Sequence, residues 1–483
     1  MKSYSNIFSR TVYCSILLCL LTVSCKKDFL EIIPKGKLIA TTVSDYHLLL
    51  SNLELINQST DAQVLMGDEM AAVGTYFLGG AARTQRLFRW DDVVYEPDQD
   101  AIEMNVPMRN IYVFNKIILE APYAIDGTDA QRKSIVAEAR AGRAWSNFLL
   151  INYYGKPYNP ATAATDPGYP IVTEADVTQT QFTRASVKEM YDFILADLTA
   201  AIPDLPAQTT HRTRMSRASA EAILGKVYLF MGRYADALKE LNASIADLAT
   251  ATTPVRLYDY NVNFAAGGIF LPIGAFGPAY PTTVNNEENL YAKQFSNTWN
   301  FVSSELVLTP ATIALYGSSD LRRRFMSATP YPSGSAFPAG TLRKTGPNAT
   351  QFGMVLPDVY LMRAECKAQT GDLVGAKADL EILRTKRMPA ADAVVPASIA
   401  NDQQALIRYV LDERIREFSG QGYRWFDMRR LSVNSNLNAT VRYEHILYNA
   451  DGTITRFTLK PERLVLRLPQ KVIEQNPGMT NNP

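Results

Sequence analysis

SAEAILGKVYLFMGRYADALKELNASI, residues 219–245, places Leu224, Gly225, Tyr228, Gly232, Tyr234, Ala237 and Leu241 at the spacing of a tetratricopeptide repeat. The small residues allow two antiparallel helices to approach closely, and Gly232 permits the turn between them. A shift of 139 positions lands on YLMRAECKAQTGDLVGAKADLEILR, residues 360–384, where Ala364, Gly371, Leu373, Ala376 and Leu380 stand in matching places. Lys367 replaces the tyrosine of the first copy, so this second repeat is degenerate. Two such matches predict helical hairpins, and helices near 135–152 and 402–418 are candidates for further members.

The rest of the first half carries the same period. SDYHLLLSNLELIN has Tyr46, Leu49, Leu50 and Leu53 on one helical face, with Ser44 as the expected cap. MRNIYVFNKIILEAP is also helical in pattern, as is SIVAEARAGRAWSNFLLINYYGKPYNP, which Gly155 and Pro157 should stop. SVKEMYDFILADLTAAIP is expected to start at a Ser186 cap and end at Pro203.

Residues 251–355 differ from this pattern, being rich in Gly, Pro, Asn and aromatics. A loop region of that length inside a compact protein is usually functional. Beyond it, the stretch 439–468 alternates apolar and polar residues around NADGT, the pattern of a short hairpin. The expected class is therefore mainly α: about four tetratricopeptide-like hairpins, a loop-rich insertion and minor β hairpins. The expected divisions are a helical part at 40–250, the loop-rich region at 251–355 and a second helical part at 356–483.

The N-terminus reads as an export signal over residues 1–24. Lys2 and Arg10 precede an apolar run from Val12 to Val23 that would be roughly 18 Å long as a helix, too short for a bilayer core. Val23 and Ser24 lead into Cys25, the expected site of lipidation and the mature N-terminus. Cys14 and Cys19 would leave with the signal, so Cys366 would stand without a disulfide partner. Several acyl chains would then hold the protein firmly to a membrane without spanning it.

The chain has 483 residues, with 49 Lys+Arg against 48 Asp+Glu, and this near neutrality argues against nucleic acid as a partner. Three histidines, His47, His211 and His445, give little material for a metal site, and neither a metal nor a cofactor is expected. No phosphate loop, dinucleotide fingerprint, nucleophile elbow or zinc-protease helix is present. The densest charged stretch is LDERIREFSGQGYRWFDMRRL, residues 411–431. Glu413 and Glu417 share a helix face there, yet the arginines around them would keep both ionised, whereas a glycosidase needs one protonated acid. An ion-pair network locking the last helices together is the expected role.

Trp145 and Trp425 sit in contexts that predict packing. Trp90 and Trp299 lie in loop-like sequence among polar neighbours, a setting suited either to stacking on a sugar ring or an extended peptide or, for each taken alone, to a structural role.

Six stretches then stand in a telling order: CKKDFLEIIPKG, AEARAGRAWSNFLLINYYGKP, RASAEAILGKVYLFMGRYADAL, DVYLMRAECKAQTGD, DERIREFSGQGYRWFDMRR and LPQKVIEQNPGMTNNP. With them, the chain resembles the SusD/RagB family of surface lipoproteins from Bacteroidetes over essentially its mature length. The resemblance implies a cell-surface lipoprotein of the outer membrane, without enzymatic activity. Such a protein captures an oligosaccharide, or in some branches a peptide, and passes it to a partner TonB-dependent, SusC-like transporter. By position, the loops around 68–95 and 280–300 look like that family's ligand face. The candidate contacts are therefore Trp299 and Trp90 as stacking platforms, with Asp68, Arg83, Tyr291 and Asn297 as polar partners. Two other classes compete: a tetratricopeptide-type scaffold that binds protein segments, and a surface glycan hydrolase.

Overall fold

The protein is described here by a computed structural model covering residues 40–330 and 334–483. The expected signal segment, residues 1–24, and the expected lipidation site Cys25 lie outside the described residues. Thr42–Pro483 form one compact unit.

The scaffold helices are α1 (Ile102–Glu120), α2 (Asp129–Tyr154), α3 (Val187–Ala201), α4 (Arg217–Phe230), α5 (Tyr234–Leu248), α6 (Leu356–Gln369), α7 (Leu373–Arg384), α8 (Gln403–Phe418) and α9 (Tyr423–Ser432). They pack as α1 on α2, α2 on α3, α4 on α5 and α6 on α7, with α6 also resting on α5 and α8. Local chemistry fixes their ends. Thr128 with Gln131, and Ser186 with Glu189, form capping boxes at the starts of α2 and α3. An earlier helix, Val43–Leu50, is capped by Thr42 with Asp45, not by Ser44, which already lies inside its first turn.

Both repeat hairpins form where the spacing places them. Gly232 and Gly371 adopt left-handed φ of 72° and 90° at the two turns, a conformation that costs glycine least. Gly225 faces the partner helix so closely that a Cβ there would sit 2.8 Å from Leu241 Cγ. In the degenerate copy, Lys367 is put to use: with Arg363 it pairs to Asp379 across the hairpin, at 2.8 and 2.5 Å.

The hairpins are joined by buried charge as well as apolar packing. Lys226 (α4) and Arg414 (α8) both bind Asp358 (α6) at 2.7 Å; Arg414 also binds Asp427 (α9), and Arg430 (α9) binds Asp427 and Glu365 (α6). The expected ion-pair network is thus present and reaches back into the repeat array. Trp145 and Trp425 are buried in the main core, as expected.

The tail hairpin forms as Glu444–Tyr448 and Ile454–Thr458 around Asn449–Thr453. It belongs to a four-stranded sheet that the sequence did not reveal. Met70–Val73 pairs in parallel with Glu444–Tyr448 and antiparallel with Leu306–Leu308, bringing three distant parts of the chain together. Among the described residues, no helix is long and apolar enough to cross a membrane.

Candidate functional site

The loop-rich region builds its own small core before it builds a surface. Tyr258, Tyr260, Phe264, Phe270 and Phe325 cluster together with Tyr280, which stacks on Phe270 at 5.3 Å between ring centroids. This satellite core leans on the turn between α8 and α9, and a cleft opens along the seam. Tyr260, Tyr280 and Phe325 line one side; Asn300, Lys344, Thr345, Gln351 and Gln421 supply polar groups. Phe418 and Tyr423, stacked on each other at 4.0 Å, close the far wall. Two amides fix the turn: Asn297 and Asn300 both donate from Nδ2 to the Gly420 carbonyl, at 2.9 and 3.0 Å.

A two-residue hairpin, Ile273–Gly274 with Gly277–Pro278, stands beside the cleft. A Cβ on Gly277 would lie 2.5 Å from Thr345 Oγ1, so only glycine permits this approach to a lining residue. Its tip residue Phe276 is 45 % exposed and rests on Phe301, ring centroids 4.9 Å apart. Concave aromatic walls with a few convergent polar groups are the usual make-up of a small-ligand site.

The floor is ionic. Asp320, Glu288, Glu413 and Glu417 face Arg322, Arg384, Arg387 and Arg416 in one buried network. Burial pushes the Glu417 carboxyl up, but the Arg387 and Arg322 guanidiniums outweigh that and hold it below its usual range. Both of its oxygens are engaged, Oε1 by Arg387 and Oε2 by Arg322 at 2.9 Å and by Arg387. Glu413 is likewise held low by Arg416, Arg322 and Arg384 against the effect of burial.

The six residues expected at a ligand face are spread over several parts of the fold, most of them buried. Trp90 ends the helix Ala82–Arg89, buried, with one face on His445 and its Nε1 donating to the Met66 carbonyl. Trp299 is buried in the short helix Thr298–Phe301. Asp68 accepts two hydrogen bonds from Arg424 and one from the Arg442 amide. Arg83 donates to Asp61, Glu103 and Tyr95. The Tyr291 ring is covered by Lys293, whose Nζ lies 4.2 Å from its centroid. Asn297 is fully buried, its Nδ2 donating to the Gly420 carbonyl and to Thr350 Oγ1. The structure does not bring them together as one surface. Only Asn297 borders the cleft, through the turn that it holds.

The sequence itself matches two known families along most of its length. Residues 284–483 match the SusD family, and residues 28–229 match a family described as starch-binding and associating with the outer membrane. The chain belongs to the SusD family. Solved structures agree in fold over nearly the whole protein. A SusD superfamily protein from Bacteroides thetaiotaomicron superimposes with a TM-score of 0.69 at 18% identity, covering 92% of this chain and 100% of that one. A putative sugar-binding protein from Bacteroides vulgatus gives 0.66 at 19% identity, with 92% and 99% covered. A SusD-like carbohydrate-binding protein from the same species gives 0.63 at 14% identity, with 91% and 99% covered. Among curated proteins, no sequence is similar enough to count as a relative.

In this SusD family member, sequence reasoning missed Tyr260, Tyr280, Lys344, Gln351 and Gln421. The available signal was the aromatic density of residues 251–355, together with the loop Ser419–Gly422 between two charged helices. Among the described residues, no group of three or more His, Cys, Asp or Glu side chains is placed to hold a metal ion.

Proposed function

We propose that this SusD family protein is an outer-membrane lipoprotein, tethered through Cys25 and facing outward, that captures oligosaccharide in the aromatic cleft. It then passes the ligand to a TonB-dependent, SusC-like transporter. The observation that carries the reading is the cleft itself, a concave site with tyrosine walls and amide, hydroxyl and ammonium groups at its edge, in a chain whose N-terminal half matches a starch-binding family. Stacking and hydrogen bonds to hydroxyls supply affinity; no bond cleavage is required. The nearest carboxylate pair also argues against hydrolysis, because both oxygens of Glu417 are taken up by arginines.

Calorimetric titration of the purified protein with neutral and acidic oligosaccharides and with oligopeptides tests this reading. Saccharide binding that Tyr280→Ala weakens at least tenfold, without turnover of the sugar, is the expected result. Detectable hydrolysis would move the protein to the enzymes. Silence toward all saccharides, with capture of oligopeptide or of a folded partner, would replace the reading with peptide import or a scaffold role.

A further inference from the structure

Lys344 stands apart from every other charge at the cleft. Its side chain is 8 % exposed and lines the cavity, with Nζ 5.3 Å above the centre of the Phe325 ring. Among the described residues it makes no ion pair and no side-chain hydrogen bond. The floor beneath it is already balanced, four carboxylates against four guanidiniums, so Lys344 is a surplus cation. Next to it, the buried Thr345 Oγ1 also lacks a hydrogen-bond partner. A buried ammonium facing open space is costly unless something anionic arrives to pair with it.

We propose that the cleft is specific for an acidic saccharide, whose carboxylate pairs with Lys344 Nζ while its ring packs on the tyrosine wall. This deepens the receptor reading and rests on it. A neutral sugar would leave the ammonium as it is, whereas a carboxylate adds a charge-assisted bond in a partly dry site. Burial pushes the Lys344 amine down to about 8, with Glu417 and Asp320 opposing the shift and Arg322 and Arg387 adding to it. It therefore remains charged at neutral pH. Glu417 and Asp320 do not consume that charge, since both are already bound by arginines.

The test uses the full chain in detergent, titrated with α-1,4-linked trigalacturonate, its neutral counterpart galactotriose, and a tripeptide with a free C-terminal carboxylate. Binding of trigalacturonate about tenfold or more tighter than galactotriose is expected. Lys344→Met should erase that preference and Lys344→Arg should retain it. In case Lys344→Met fails to fold, the wild type decides alone, because added NaCl should weaken trigalacturonate and leave galactotriose unchanged. Equal binding of both sugars, or a preference insensitive to salt and to Lys344→Met, overturns the inference and leaves the receptor reading standing. Binding of the tripeptide in place of either sugar overturns the saccharide assignment. Failure of all three to bind overturns the acidic-sugar inference, while the oligosaccharide reading falls only with silence toward the wider saccharide panel.

Discussion

The indole of Trp90 lies flat on the imidazole of His445, ring centroids 3.7 Å apart and planes inclined by 15°, while Phe88 covers the opposite face at 4.3 Å. Both imidazole nitrogens lie within hydrogen-bond distance of backbone carbonyls, Phe88 O at 2.6 Å and Gly67 O at 2.8 Å. The stack pins the helix Ala82–Arg89 to the central sheet, since His445 belongs to the strand Glu444–Tyr448. Trp90→Ala removes one outer layer of it and uncovers the imidazole. We expect a loss of about 3–5 kcal/mol in stability with saccharide affinity unchanged, read by thermal unfolding and titration in parallel. A loss of affinity at intact stability would put Trp90 back on the ligand face.

The repeat hairpin makes an equally local prediction. Gly225→Leu pushes a branched side chain against Leu241 and the Ala237 carbonyl, where even a Cβ is too close. Overpacking of this kind costs about 1–3 kcal/mol. Gly232→Ala is milder, because nothing lies within 4 Å and only the left-handed φ of 72° is strained. Chemical denaturation midpoints should rank wild type above Gly232→Ala, and that above Gly225→Leu.

Below the cleft, Glu417 sets the acid limit. Its folded pKa lies below the unfolded value of 4.5, so its contribution is complete above that value and is lost as pH falls through the folded one. Glu417→Gln leaves Arg387 and Arg322 short of a partner and should cost about 3–5 kcal/mol at neutral pH. Its melting temperature should also fall less steeply than that of the wild type between pH 5 and pH 3.

Lys293 makes the opposite prediction on the alkaline side. Burial pushes its amine down from 10.5 to about 7, against the pull of Glu138. Above that folded value the native state holds the amine neutral, while the unfolded chain keeps binding a proton up to about 10.5. The Lys293 contribution therefore grows as pH rises from 7 toward 10.5 and shrinks as pH falls back through 7. The difference in melting temperature between wild type and Lys293→Met should move in favour of the wild type from pH 7 to pH 9. A constant difference would mean that Lys293 is charged throughout.

These relationships mark what could be read in the chain. Gly232, Ala237 and Leu241 act within one hairpin, so spacing alone was sufficient, and the cap at Ser186 lies within four residues of what it caps. The arginines of residues 411–431 were legible as an ion-pair network because several of their carboxylates are three residues away, as in Glu413–Arg416 and Asp427–Arg430. Trp90 was not legible. Its polar neighbours Arg89 and Asp91 pair with each other, and what buries its ring is a histidine from the far end of the chain; Phe88 and His445 are 357 positions apart. Asp68 is similar, with its arginine 356 positions on. Lys344 gave no signal at all, because a surplus charge becomes visible only after every other charge in the network has been paired.

The most direct test of the cleft is amide hydrogen exchange on the full chain, with and without the trisaccharide that binds most tightly in calorimetry. Slowed exchange confined to residues 344–351 and 418–423 is the predicted result, with residues 83–95 unchanged. Protection centred on residues 83–95, with the cleft segments unaffected, would contradict the account and return the ligand to the loop that carries Trp90.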